Sequence, residues 1–202
     1  MHFVIVYTKM DGMVVLLDEN KLLWDKCVEF HGHSCGGLTI GYKAALYLIE
    51  LFDLSLGGGG NAGCLSKDEE IVCIAENDAC SIDAISVILG CSVGKGNLLF
   101  HMRGKQAYTF YDRKTNRSVR LVMKPLPLGM TKADSFDYLQ NKAPSEIFEV
   151  KETKLMLPEK ARMFSSYACE ICGEVAGSNW IRIMDGKKVC LDCYEEYDRF
   201  HV

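Results

Sequence analysis

Apolar positions change their rhythm several times along the chain, and each change marks an element. Residues 3–8 and 13–17 are short β-like runs on either side of an Asp11-Gly12 turn. From Asp18, a helix-capping residue, the spacing becomes helical as far as Phe30, with Leu22, Leu23, Lys26, Cys27 and Phe30 on a mostly apolar face. A second helical face follows in Leu38, Tyr42, Ala45, Leu46, Ile49 and Phe52. Residues 57–63, Gly-Gly-Gly-Gly-Asn-Ala-Gly, offer nothing to pack and read as a flexible connector, with a lid over a site as the minor alternative. The continuous apolar run Ile71 to Glu76 has the length of a buried central strand. After it, Asp78 or Ser81 can cap a helix carrying Ile82, Ile85, Ile88 and Leu89, closed by Gly90.

Residues 98–101, 107–111 and 118–124 read as three strands, and their turn-rich spacers favour an antiparallel meander. A short helix is expected over Ser135 to Asn141 and an edge strand over Phe148 to Val150. Pro158-Glu159-Lys160 marks a boundary. The expected division is therefore a metal-binding domain at 1–162 and a four-cysteine zinc domain at 163–202.

That second domain rests on Cys169-x-x-Cys172 and Cys190-x-x-Cys193, separated by 17 residues. A two-residue gap lets both thiolates of a knuckle reach one ion, and four sulfurs complete a closed zinc tetrahedron, a structural rather than a catalytic site. Roughly forty residues bury little core, so the metal must supply much of the folding free energy. A hairpin around Asp185-Gly186 and a helix over Leu191 to Phe200 would give a small treble-clef or zinc-ribbon-like unit. With 4 Lys or Arg against 7 Asp or Glu from residue 163 onward, it would repel phosphates, and docking on protein is the better expectation.

The stretch from His31 to Gly37, His-Gly-His-Ser-Cys-Gly-Gly, carries the other concentration of chemistry. Two imidazoles and a thiol within five residues suit zinc, nickel, copper or iron far better than calcium or magnesium. Cys80 occupies the same kind of position, at the turn between a core element and a helix start, with Asp83 one helical turn further. Gly94-Lys95-Gly96 lacks the rest of a phosphate-loop pattern and reads as a tight turn.

Composition narrows the classes. The chain has 202 residues, 49% hydrophobic and 25% charged, enough for one ordinary domain plus a small module. A net charge of −4 gives no general attraction to nucleic acid or anionic membranes. No apolar run approaches bilayer length, and the start lacks a basic leader and a cleavage site, so a cytoplasmic location is expected. Ten cysteines are then reduced thiols serving metals or packing.

Several blocks occur together: His31-Gly32-His33-Ser34-Cys35-Gly36-Gly37-Leu38, Gly41-Tyr42-Lys43-Ala44, Glu76, Cys80, Asp83-Ala84-Ile85, Gly90-Cys91-Ser92, Gly94-Lys95-Gly96-Asn97-Leu98 and Gly104-Lys105. In this order they resemble the E subunit of formylmethanofuran dehydrogenase over about residues 20–125, and a subset of such proteins carries a C-terminal zinc module. Gly36 stands where that family usually has proline. The resemblance implies an α+β domain with an α/β-like start: helix, strand, helix, then three strands completing a mixed sheet, similar to the catalytic-domain fold of glyceraldehyde-3-phosphate dehydrogenase. It also implies association with a molybdenum- or tungsten-dependent complex that reduces carbon dioxide to a formyl group on methanofuran, a step linked to methanogenesis.

The site expected on these grounds joins His33 and Cys35 from one helix start to Cys80 from another, with His31 and Cys91 as nearby supporting ligands. Zinc is the expected ion there as well as in the four-cysteine site. Three protein ligands leave one position for water or a substrate oxygen. In a catalytic version Asp83 acts as base or as partner to a histidine, and Lys95 meets an anion. The alternatives are a carrier passing metal or sulfur to a molybdenum or tungsten enzyme, and an adaptor with purely structural metals. A homodimer is the expected assembly.

Overall fold

A computed structural model describes residues 6–10, 13–17, 19–55 and 65–200. The Asp11-Gly12 turn, the Asp18 cap and the glycine loop at 57–63 lie outside the described residues. The chain forms two compact units, residues 1–160 and 161–202. Among the described residues no helix is long and apolar enough to cross a membrane.

The first unit is a mixed α+β domain. Strands β1 (Val6–Met10) and β2 (Met13–Leu17) pair antiparallel, and α1 (Glu19–His31) and α2 (Gly36–Phe52) follow. Next come β3 (Ile71–Ala75), α3 (Ser81–Leu89), β4 (Leu98–Phe100), β5 (Ala107–Asp112) and β6 (Arg117–Met123). Two short helices, α4 (Lys132–Asn141) and α5 (Pro144–Ile147), lead into β7 (Phe148–Lys151). The sheet order is β4-β3-β5-β6-β7, with β4 parallel to β3 and the other pairs antiparallel.

The meander expected of residues 98–124 is therefore corrected. β4 and β5 flank β3 on opposite sides instead of pairing with each other. Helix α3 provides a crossover long enough to return the chain parallel to β3. The connection from β4 to β5 then passes over the end of β3, where the Arg103 and Lys105 N–H groups both donate to the Glu76 carbonyl.

β3 is buried along its whole length because both faces of the sheet are covered. On one face Cys73 and Ala75 join Leu38, Leu48, Ile85, Ile88, Tyr108 and Phe110 in the main core. On the other, Val72, Ile74 and Tyr111 pack under Leu155 and Leu157. The Tyr111 hydroxyl donates to the Leu155 carbonyl and lies 2.9 Å from Thr153 Oγ1.

Asn97, fully buried, stitches the turn after α3 to the start of β3. Its Nδ2 donates to the carbonyls of Ile71 (2.9 Å), Asp68 (3.1 Å) and Gly90 (3.3 Å), while Oδ1 accepts from Ser92 N–H. Such a satisfied buried amide costs little to desolvate and specifies the turn.

In the second unit, β8 (Ser166–Ala168) pairs with β9 (Val175–Gly177), and β10 (Arg182–Met184) with β11 (Lys187–Val189). The β10–β11 turn uses Asp185 (φ 49°) and Gly186 (φ 77°), the left-handed pair of a tight hairpin. The expected helix over Leu191 to Phe200 is absent; residues 191–193 form a turn and the rest is irregular. Tyr197 and Phe200 are exposed there, and an isolated ten-residue helix without a buried face is marginal in water.

Candidate metal centre

α1 ends at His31, and Gly32 (φ 88°) turns the chain while its N–H donates to the Val28 carbonyl. Three residues later Cys35 takes an extended conformation as the cap of α2, its Sγ accepting the Leu38 N–H at 3.4 Å. From the other side, Asn77 shapes the turn leaving β3. Its Oδ1 accepts from Ala79 N–H (3.1 Å) and Ser81 Oγ–H (3.2 Å), and its Nδ2 donates to the Lys105 carbonyl. This turn presents Cys80 at the start of α3.

Two glycines bring the helices together. A Cβ on Gly37 would lie 3.0 Å from the Cys80 Cβ, and one on Gly41 only 1.9 Å from the Ser81 carbonyl oxygen. At Gly41 any side chain would force α3 to shift, and at Gly37 the Cys80 side chain would have to give by a few tenths of an ångström.

The result is a trio. The donor atoms of His31, Cys35 and Cys80 lie within 4.8 Å of one another, all three residues half-buried. His31 Nε2 is 3.8 Å from Cys35 Sγ, and His31 Nδ1 is 2.6 Å from Asp83 Oδ2. With Asp83 accepting the Nδ1 proton, the Nε2 lone pair faces the sulfurs, the carboxylate–histidine arrangement common at metals. A tetrahedral zinc centre with Zn–N and Zn–S bonds of about 2.0–2.3 Å holds its donors about 3.5–3.8 Å apart, and the His31 Nε2–Cys35 Sγ distance of 3.8 Å falls there. Burial, and then the neighbouring Cys35, push the Cys80 thiol above its ordinary pKa, as expected for two sulfurs crowded together with no cation between them.

The other expected site residues fall elsewhere. His33 is exposed, its ring 4.5 Å from that of His31 but outside the trio, so the histidine facing the sulfurs is His31. Sequence spacing does not separate the two; what separates them is that His31 is the last helical residue, fixed opposite α3, whereas His33 follows the glycine turn. Cys91 lies outside the trio, buried in the core with its thiol donating to the Ile71 carbonyl at 3.5 Å. Lys95 donates to the Ser66 carbonyl at 2.8 Å, which ties down a turn. Sequence reasoning misses Gly37 and Gly41 as a packing device; their spacing of four, on one helix face, is the signal that could have found them.

The second cluster comprises Cys169, Cys172, Cys190 and Cys193, their sulfurs within 4.8 Å of one another. Gly173 (φ 79°) makes the first knuckle and donates its N–H to the Cys169 carbonyl. Cys172 Sγ is 3.8 Å from Cys190 Sγ, a tetrahedral spacing. Backbone N–H groups of Cys172 and Cys190 pull the Cys169 pKa down to about 6, while the surrounding sulfurs, Cys172 first, push Cys193 up to about 12. Four sulfurs share one small volume, a donor set that a dication would fit by resolving their competition for charge. No disulfide joins any of the described cysteines.

A family model described as FmdE, molybdenum formylmethanofuran dehydrogenase operon, matches residues 30–168. The chain belongs to the FmdE family. Within that matched region lie His31, Cys35, Cys80 and Asp83, so the trio is part of the FmdE domain itself. A tungsten formylmethanofuran dehydrogenase FmdE-like protein from Syntrophus aciditrophicus shares the fold, with a TM-score of 0.61 and 20% identity, covering 93% of this chain and 96% of that one. A protein from Archaeoglobus fulgidus named as a probable S-adenosyl-L-methionine-binding protein is 26% identical over 197 residues, 84% of this chain and 51% of its own length. The chain thus spans about half the length of that curated relative.

Proposed function

We propose that this FmdE-family chain carries two metals with different jobs. His31, Cys35 and Cys80 hold an ion, zinc by donor chemistry, with Asp83 orienting His31, and the four cysteines of the second unit hold a structural zinc. The observation that carries the reading is the His31 ring, bonded to Asp83 through Nδ1 and turned to Cys35 through Nε2. Three protein ligands leave a zinc ion one position for an exogenous ligand, whereas four close it.

On this reading the chain serves as an accessory metal protein in molybdenum- or tungsten-dependent one-carbon redox chemistry, working in the cytoplasm as a homodimer. A metal or sulfur carrier docking on such an enzyme is the second reading, and the half-burial of the trio favours it, because a deeply enclosed ion exchanges slowly.

Metal analysis tests the scheme. Wild-type protein binds two ions per chain; Cys35→Ala and His31→Ala each bind one, and Cys169→Ala loses the other. His33→Ala keeps both. An unchanged count in Cys35→Ala overturns the assignment.

A further inference from the structure

Beside the trio lies a cavity of about 780 Å³, open to solvent, into which Cys35 faces along with Gly36 and Gly37. It has the size of a pocket for a small organic molecule. One wall is α4, which sets Ala133, Phe136 and Leu139 along one face at a spacing of three; Ile40 of α2 and Leu126 complete the apolar lining. At Gly36 the wall is bare backbone, and a Cβ there would meet only Leu139 Cδ1, at 3.7 Å. The ionisable residues of the lining besides Cys35 are Lys132 and His33; no aspartate or glutamate contributes, although the chain as a whole carries a net charge of −4. A pocket with an apolar wall, basic side chains and no carboxylate excludes cations and fits an apolar anion.

We propose that this cavity binds a small amphiphilic anion, with its carboxylate or thiolate head at the Cys35 end and its apolar body against Phe136, Leu139, Ile40 and Leu126. The inference deepens the metal reading and rests on it in one respect: the head lies beside the ion held by the trio. The cavity is independent of the second cluster, since its lining comes entirely from the first unit.

The head and the body are separable by experiment. Zinc-loaded full-length protein is titrated calorimetrically with acetate, 4-phenylbutanoate, 4-phenylbutan-1-ol and 4-phenylbutylamine, and metal is counted on the same samples. The phenyl-bearing carboxylate binds at least about tenfold more tightly than acetate, because the body buries apolar surface, and at least about tenfold more tightly than the alcohol or amine, because the head is read as an anion.

Ala133→Trp, which fills the cavity from an exposed helix position, and Phe136→Glu, which puts a like charge in its wall, both abolish the preference for 4-phenylbutanoate while the metal count stays at two. Equal binding of acetate and 4-phenylbutanoate, equal binding of the amine, or a preference that survives Ala133→Trp each overturns the proposal. The metal reading fails differently: one ion per chain with the ligand ladder intact removes the trio's ion and its neighbour relation to the head, and two ions with a flat ladder remove the cavity ligand alone.

Discussion

Substituting Gly41 by alanine sets two effects of known sign against each other. In an exposed helix, glycine to alanine stabilises by about 1 kcal/mol, because alanine loses less backbone entropy on folding. At Gly41 the new methyl carbon would sit 1.9 Å from the Ser81 carbonyl oxygen, 2.6 Å from its carbon and 2.7 Å from Cα, against the 3.4 Å at which ordinary contact begins. The obstacle is backbone at the start of α3, so no rotamer change relieves it. Either α2 and α3 separate by roughly 1.5 Å or the turn holding Cys80 rearranges, and overpacking of this kind costs about 1–3 kcal/mol or more.

The same separation pulls Cys35 from Cys80, so the metal suffers along with the fold. Gly37→Ala is milder, its methyl 3.0 Å from the Cys80 Cβ, and Gly36→Ala is benign, with nothing nearer than Leu139 Cδ1 at 3.7 Å. Urea unfolding of the three variants, with zinc affinity of the trio measured by chelator competition, should rank them Gly36→Ala, Gly37→Ala, Gly41→Ala in increasing loss of both quantities. A Gly41→Ala protein that gains stability and keeps the trio's ion would show that the helices do not meet at this point, and the geometry of the trio would fall with it.

Three further outcomes follow from particular contacts. Glu76 receives Arg120 Nε at 2.6 Å and Arg120 Nη2 at 2.9 Å, and this guanidinium holds its carboxyl below the ordinary value of 4.5. Its stabilising contribution is thus complete above about pH 4.5 and is lost as pH falls through the lowered folded-state value; Glu76→Gln should cost about 3 kcal/mol at pH 7 by denaturant titration and progressively less below pH 4.5. Asp83→Ala should weaken zinc binding at the trio by about 10–100-fold in a chelator competition, with unfolding midpoints little changed. Treatment with a strong chelator should expose residues 161–200 to protease while residues 65–160 stay resistant, since the only buried side chains of that module's described residues are Cys169, Val189 and Cys190; equal resistance of both segments would show that the module folds without metal.

What could be read from the residues alone was mostly local. The spacing of Leu38, Tyr42, Ala45 and Ile49 announces α2, the unbroken run from Ile71 announces a strand buried on both faces, and Gly90 in the left-handed region closes α3 where a helix stop is expected. Pairing is not local. Nothing in Leu98-Leu99-Phe100 says that it lies beside β3 and not β5, because that depends on where the 101–106 connection is pinned, on the Glu76 carbonyl. The choice between His31 and His33 has the same character. Both imidazoles are equally good ligands by type, and only the α3 carboxylate across the turn selects one. Cys91 shows the converse: adjacent to the Gly90 helix stop, it is held by packing and the Ile71 carbonyl, and a buried thiol is as often a small hydrophobe as a ligand.

The two sulfur clusters differ most in what holds them in place. Each member of the trio is positioned by something other than an ion: His31 by Asp83 and the end of α1, Cys35 by the Leu38 N–H, Cys80 by the Asn77 turn and the glycine contact with α2. Helices anchored in the main core carry all three, so an ion bound there could arrive, change its outer ligand or leave without unfolding the domain. The four cysteines sit on two short hairpins whose buried side chains are mostly those cysteines themselves, so there an ion and the fold would be one equilibrium. A site that must exchange ligands needs a scaffold indifferent to its occupancy, and of the two clusters the trio has one; under the function proposed above, exchange would fall to the first site and structure to the second.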